Sequence, residues 1–169
     1  MRAMMIWTPE AQDAARAECR RWAGTPHKNR IAVPLQGIDC IRFVFEVVIA
    51  AGVLTRFDLP AYKESLGILR TSNVMETLMR EYAFSEALSA SRDGVPDFGD
   101  VAIFQCGAQS NHAGIVIDGA VWHVPGKGRV GPEAWVNVAP KLQSLMRFTA
   151  TGFRQDPASL TWEKIRTSL

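Results

Sequence analysis

The segment from Gly37 to Gly52, Gly-Ile-Asp-Cys-Ile-Arg-Phe-Val-Phe-Glu-Val-Val-Ile-Ala-Ala-Gly, constrains this chain more than any other. Asp39 stands where a helix N-cap belongs, and Gly52 where a glycine closes a helix. Asp39, Arg42 and Glu46 interrupt the apolar surface, and they fall on one stripe at i, i+3 and i+7. A helix apolar on nearly every other face belongs in an interior, so the rest of the chain must be built around it. Cys40 begins its first turn. Unpaired N–H groups and the helix dipole at that point favour a thiolate, the form a cysteine nucleophile needs. Taken alone, Cys40 reads more readily as a small buried hydrophobe, and other residues have to overturn that reading.

The pattern before and after this helix changes character. Thr8-Pro9-Glu10 reads as a cap, a first helical proline and an acidic first turn, which predicts a helix to about Ala23 ended by Gly24. Thr25 to Arg30 is a turn-like basic loop. Residues 53–70 are mixed and read as an irregular connection. Ser72 is placed to cap a helix through about Tyr82, with Val74, Leu78 and Tyr82 inward. Beyond the turn residues Asp93–Asp100, strands are expected at Val101–Phe104, Ala113–Ile117 and Ala120–Val124, and a further one over about Leu145–Arg154. Helices first and strands second predict an α+β fold with an antiparallel sheet.

Ile117-Asp118-Gly119-Ala120 is the strongest hairpin signal, because Asp-Gly suits a two-residue type I′ loop. That loop sets Val116 opposite Val121 and Gly114 opposite His123. His112, two residues before Gly114, shares its face, so His112 and His123 become diagonal neighbours on adjacent strands. Gly114 is expected to leave space opposite His123. A cysteine nucleophile, a histidine base and a polar group orienting the imidazole form a working hydrolytic set. His112, at a strand start beside Gln109-Ser110-Asn111, is assigned the base; His123, deeper in its strand, is assigned the orienter. A metal is the rival use of two histidines, but a third ligand at suitable spacing is missing, so no metal or organic cofactor is expected.

Composition sets other classes aside. The chain has 169 residues and reads as one domain over 1–169. A formal net charge of +2, with no basic stripe interleaved with aromatics, gives no footprint for nucleic acid. No stretch approaches a membrane span or an amphipathic anchor. The first residues lack the apolar core of a signal peptide, so synthesis in the cytoplasm is expected. Three cysteines, Cys19, Cys40 and Cys106, match neither a zinc pattern nor a disulfide framework. Cys19 reads as structural.

Five motifs occur in the order found in the NlpC family of cell-wall cysteine peptidases: Gly24-Thr25-Pro26-His27, Asp39-Cys40, Gly99-Asp100-Val101-Ala102-Ile103-Phe104, His112-Ala113-Gly114-Ile115 and Val121-Trp122-His123-Val124. The chain resembles that family over about residues 9 to 155. The resemblance implies a papain-like fold, with the nucleophile at the N-terminus of a buried helix packed on an antiparallel sheet. It also implies peptidoglycan stem peptides as substrate, cut at the γ-D-glutamyl–diaminopimelate bond, and His27 and Asp39 as substrate-binding positions. The single domain without an export signal is similar to tail-associated peptidases of phages and gene transfer agents. That likeness implies tail-tip proteins as partners and delivery to the wall or periplasm on a tail.

Two positions depart from the family. His27 replaces a tyrosine, and Ile41-Arg42 replaces the Ser-Gly that follows the cysteine, where the serine helps hold the amino end of a stem peptide. Arg42 is expected to pair with Asp39 or Glu46 on its own helix face. These departures keep two other readings open: a non-catalytic tail or assembly protein on the same fold, and a secreted antibacterial amidase with an immunity partner.

Overall fold

Thr8 and Pro9 open the first helix as their residue types dictate. In the computed structural model, which describes residues 6–57, 59, 74–83, 85–88, 96–105 and 111–152, helix α1 spans Pro9–Trp22. The Thr8 hydroxyl accepts the Ala11 N–H at 3.2 Å, and Gly24 takes φ +80° just past the end. Helix α2 spans Cys40–Ala50 and buries Phe43, Val44, Phe45, Val47 and Val48. Gly52, at φ +73°, ends it. The polar stripe behaves as its spacing requires. Arg42 donates to Asp39 at 2.6 Å, while Glu46 is taken by Arg56 at 2.9 and 2.8 Å.

Between the two helices, after the loop of residues 25–30, comes a short hairpin, β1 (Ala32–Val33) with β2 (Gly37–Ile38). Strands of two residues carry too little alternation to be read from sequence. The Gly-Thr-Pro segment is tied down beside it. The buried Thr25 hydroxyl accepts the Leu35 N–H at 2.9 Å, and Thr25 O accepts the Val130 N–H at 2.8 Å.

Helix α3 spans Val74–Tyr82 and buries Met75, Leu78 and Met79. Ser72, most of the 53–70 connection, Asp93 to Val95, Gln109 and Ser110, and Cys106 lie outside the described residues.

A six-stranded antiparallel sheet follows, in the order β3 (Ser85–Leu88), β8 (Leu142–Phe148), β4 (Val101–Gln105), β5 (Asn111–Ile117), β6 (Ala120–His123) and β7 (Gly131–Ala134). Helix α4 (Trp135–Val138) and a 3₁₀ turn (Ala139–Lys141) join β7 to β8. The β5–β6 hairpin has the expected register, with Ile117 opposite Ala120 and Val116 opposite Val121. Asp118 and Gly119, at φ +51° and +79°, make its turn. Arg16 of α1 clamps that turn, donating to both Asp118 carboxylate oxygens at 2.8 Å. The last strand begins at Leu142 and ends at Phe148, earlier at both ends than the expected 145–154.

The sheet is apolar on both faces. Val101, Ile103, Ala113, Ile115, Ile117, Met146 and Phe148 face the main core, into which the helices pack. Ala102, Phe104, Val116, Val121 and Leu145 face the other way, under Val138 and Trp135. Helix α2 lies against β5 and β6. The result is the expected α+β fold. Among the described residues, no helix is long and apolar enough to cross a membrane.

Candidate active site

Cys40 is the first residue of α2, and the Asp39 carboxylate caps that helix by accepting the Arg42 N–H at 2.9 Å. The start of α2 meets the start of β5. There the Cys40 sulfur takes the backbone N–H of Ala113, and the N–H groups of Cys40 and Ile41 also point to it. Three donors around one sulfur favour the thiolate. Burial opposes them and wins, with the Asp39 carboxylate adding to its effect, and the Cys40 thiol is pushed up to about 11. The helix-terminal setting therefore does not yield the resting thiolate expected from sequence. At pH 7 only about one thiol in ten thousand is ionised.

His112 and His123 share one sheet face, as the hairpin register requires. It is the face away from the main helical core, which they share with Phe104. His112 lies directly opposite Phe104 in the β4–β5 pair and stacks on it, with ring centroids 6.2 Å apart. His123 meets the same ring edge-on at 5.3 Å. The two imidazoles are nearly perpendicular, with centroids 6.4 Å apart. Both Nδ1 atoms are buried and have no hydrogen-bond partner. Burial, followed by the nearby His123 and His27, lowers the His112 pKa to about 4, so its imidazole is neutral at pH 7.

The orienting contact expected between the two histidines is replaced by another. His123 Nε2 lies 2.9 Å from the Glu133 carboxylate of β7. Glu133 was missed by sequence reasoning, because Gly131-Pro132-Glu133-Ala134 lacks strand alternation and contains a proline. Proline is tolerated there because β7 is an edge strand. The useful clue is a strand-length run after the Pro125–Gly128 turn, where the Gly128 N–H donates to Pro125 O at 2.9 Å.

The space expected opposite His123 is also absent. A Cβ on Gly114 would meet Val121 Cγ1 at 2.5 Å, Trp122 O at 3.0 Å and His123 Cβ at 3.1 Å. Gly114 thus lets β6 approach closely, and the approach fixes His123.

His27 is held by its backbone, which bridges Ile38 of β2 and donates to Gly128 O at 3.1 Å. His27 lies near enough to His112 to help lower the pKa of that imidazole. Asp39 is buried and engaged as cap and as partner of Arg42 at 2.6 Å. Cys19 is buried on α1, and burial pushes its thiol up to about 12. Among the described residues, no three His, Cys, Asp or Glu side chains gather as a metal site requires.

A half-buried cysteine at a helix N-terminus, beside a strand whose second residue is a neutral histidine, can support nucleophilic attack on a carbonyl. No family model and no curated protein matches the chain. Among solved structures, the NlpC/p60 domain of peptidoglycan hydrolase SagA is similar, with a TM-score of 0.53 and 17% identity, over 81% of this chain and 98% of that one. The chain therefore has the papain-like α+β fold of an NlpC/p60 domain.

Proposed function

We propose that this chain, read as one domain over 1–169, is a cysteine peptidase that cuts peptidoglycan stem peptides. The observation that supports the proposal is the Cys40–Ala113 contact, which brings the start of α2 to the residue that follows His112, on a fold shared with a peptidoglycan hydrolase domain. In this reaction the Cys40 sulfur attacks the peptide carbonyl while its proton passes to His112. The Cys40 N–H, at the helix start, donates to the oxyanion. Collapse breaks the C–N bond, and His112 gives its proton to the leaving amine. Water then loses a proton to His112 as it attacks the thioester, releasing the acid and restoring the thiol. Because thiol and imidazole both rest neutral, proton transfer accompanies attack.

The bond we assign is γ-D-glutamyl–diaminopimelate, and the setting is a phage or gene-transfer-agent tail with tail-tip proteins as partners. Both assignments rest on the motif resemblance. Digestion of purified peptidoglycan with mass spectrometry of the released fragments tests the activity and the bond together. Wild-type protein releases stem-peptide fragments and Cys40→Ala releases none; release by a folded Cys40→Ala variant sinks the mechanism. The un-ionised thiol favours one second reading, a non-catalytic assembly protein on the same fold, for which neither protein releases fragments.

A further inference from the structure

His123 raises a question that its own position does not answer. It is 3% exposed, and burial lowers its pKa, so it is neutral at pH 7 and carries one ring proton. The Glu133 carboxylate accepts hydrogen bonds and donates none. The 2.9 Å contact therefore requires the proton on Nε2 and leaves Nδ1 as a bare lone pair. That Nδ1 is buried and unpartnered, in a site that also holds the His112 ring, 6.4 Å away between centroids. A buried acceptor without a donor is costly, and such groups concentrate where chemistry needs them. Hydrogen bonds of this kind are often long in a free enzyme and tighten when substrate arrives.

We propose that Glu133 is a positioning residue: its carboxylate fixes His123 as the Nε2–H tautomer, so that His123 Nδ1 accepts an N–H of His112 when substrate binds. This rests on the peptidase reading. The backbone prepares the geometry. Glu133 lies opposite Val121, two residues from His123, so its side chain reaches His123 diagonally across the β6–β7 pair. Gly114 removes the Cβ that would push β6 away. With substrate bound, a short chain runs from Glu133 through His123 to His112, in which the outermost carboxylate sets the direction of both hydrogen bonds. Lys141 lies close enough to disfavour a proton on His123, which helps to keep that ring neutral.

The test combines side-chain ¹⁵N NMR of the histidines with kinetics on a soluble stem peptide, for wild type, Glu133→Gln and Glu133→Asp. Glutamine preserves size, and aspartate preserves charge but falls one methylene short of the ring. Amide spectra establish that the variants are folded. Wild-type His123 is expected as the Nε2–H tautomer. A variant that loses this preference is expected to lose at least tenfold in kcat, with KM within twofold. Wild-type His123 found as the Nδ1–H tautomer overturns the proposal. So does a variant that loses the preference yet keeps its kcat, or one that keeps the preference yet loses kcat. If wild-type protein cuts no stem peptide, the peptidase reading fails and the tautomer in wild type and variants alone decides the role of Glu133.

Discussion

The Cys40 sulfur accepts the backbone N–H of Ala113, so the first residue of α2 is tied to β5 by the residue that follows His112. A bond to the backbone is insensitive to side-chain rotamer. It holds the nucleophile at the strand start whether or not the imidazole is turned towards it. The same N–H favours the thiolate, but burial outweighs it, so the neutral resting state is a product of the packing around the helix start.

The first prediction concerns that proton. With the Cys40 thiol at about 11, alkylation by substoichiometric iodoacetamide should quicken about tenfold per pH unit from pH 6 to 9, without a plateau. Peptide mass spectrometry measures the rate at Cys40. A plateau below pH 7 would mean that a thiolate–imidazolium pair already exists in the resting protein.

His112 carries the second. Its folded pKa of about 4 lies below the ordinary histidine value of 6.5, so below pH 6.5 the unfolded chain binds a proton that the folded one refuses. Stability should be unaffected by this group above pH 7 and fall as pH drops from 6.5 towards 4, by about 3 kcal/mol in full. Urea denaturation at pH 7 and pH 4 reads the fall, and His112→Gln should remove that part of it. An equal loss in the variant would assign the acid sensitivity to other groups.

Sequence carried the local parts of this site well. Helix α2 was legible because cap, apolar run and terminal glycine are contiguous, and the β5–β6 register because Asp118-Gly119 admits one turn. The shared face of His112 and His123 follows from that register by counting. Glu133 was not legible, since an edge strand of Gly-Pro-Glu-Ala has no period to detect and its partner is set by long-range pairing. The Cys40 pKa was misjudged for a related reason. Helix-terminal donors are visible in the sequence, whereas the desolvation that outweighs them comes from the packing of distant segments. The space opposite His123 was misjudged because a missing side chain was read as a void, while the neighbouring strand had moved in to use it.

That close approach gives the third prediction. Gly114→Ala puts a methyl group 2.5 Å from Val121 Cγ1 and 3.0 Å from a backbone oxygen, so β6 must shift. Overpacking of this kind costs about 1 to 3 kcal/mol. Because His123 moves with β6, stem-peptide hydrolysis should fall further than the stability loss alone explains. A folded Gly114→Ala protein with wild-type turnover would show that His123 need not be held at its present distance.

The fourth concerns Asp100, which heads β4 at the opposite end from Phe104. Its carboxylate is 2% exposed, accepts Arg147 Nε at 2.9 Å and Nη2 at 2.7 Å, and also accepts the Asp97 N–H at 2.9 Å. Gly99 before it is at φ +82°, and a Cβ there would collide with the Trp7 ring, so the Gly-Asp pair forms a structural corner. Arg147→Met should destabilise by about 2 kcal/mol or more, because it strands a buried charge. Asp100→Asn combined with Arg147→Met should cost less than Arg147→Met alone, since the amide removes the charge and still accepts the Asp97 N–H. Chemical denaturation of the three proteins gives the comparison. If the double variant is the least stable, the pair stabilises the corner by direct attraction, and the penalty of a stranded carboxylate is not the cause.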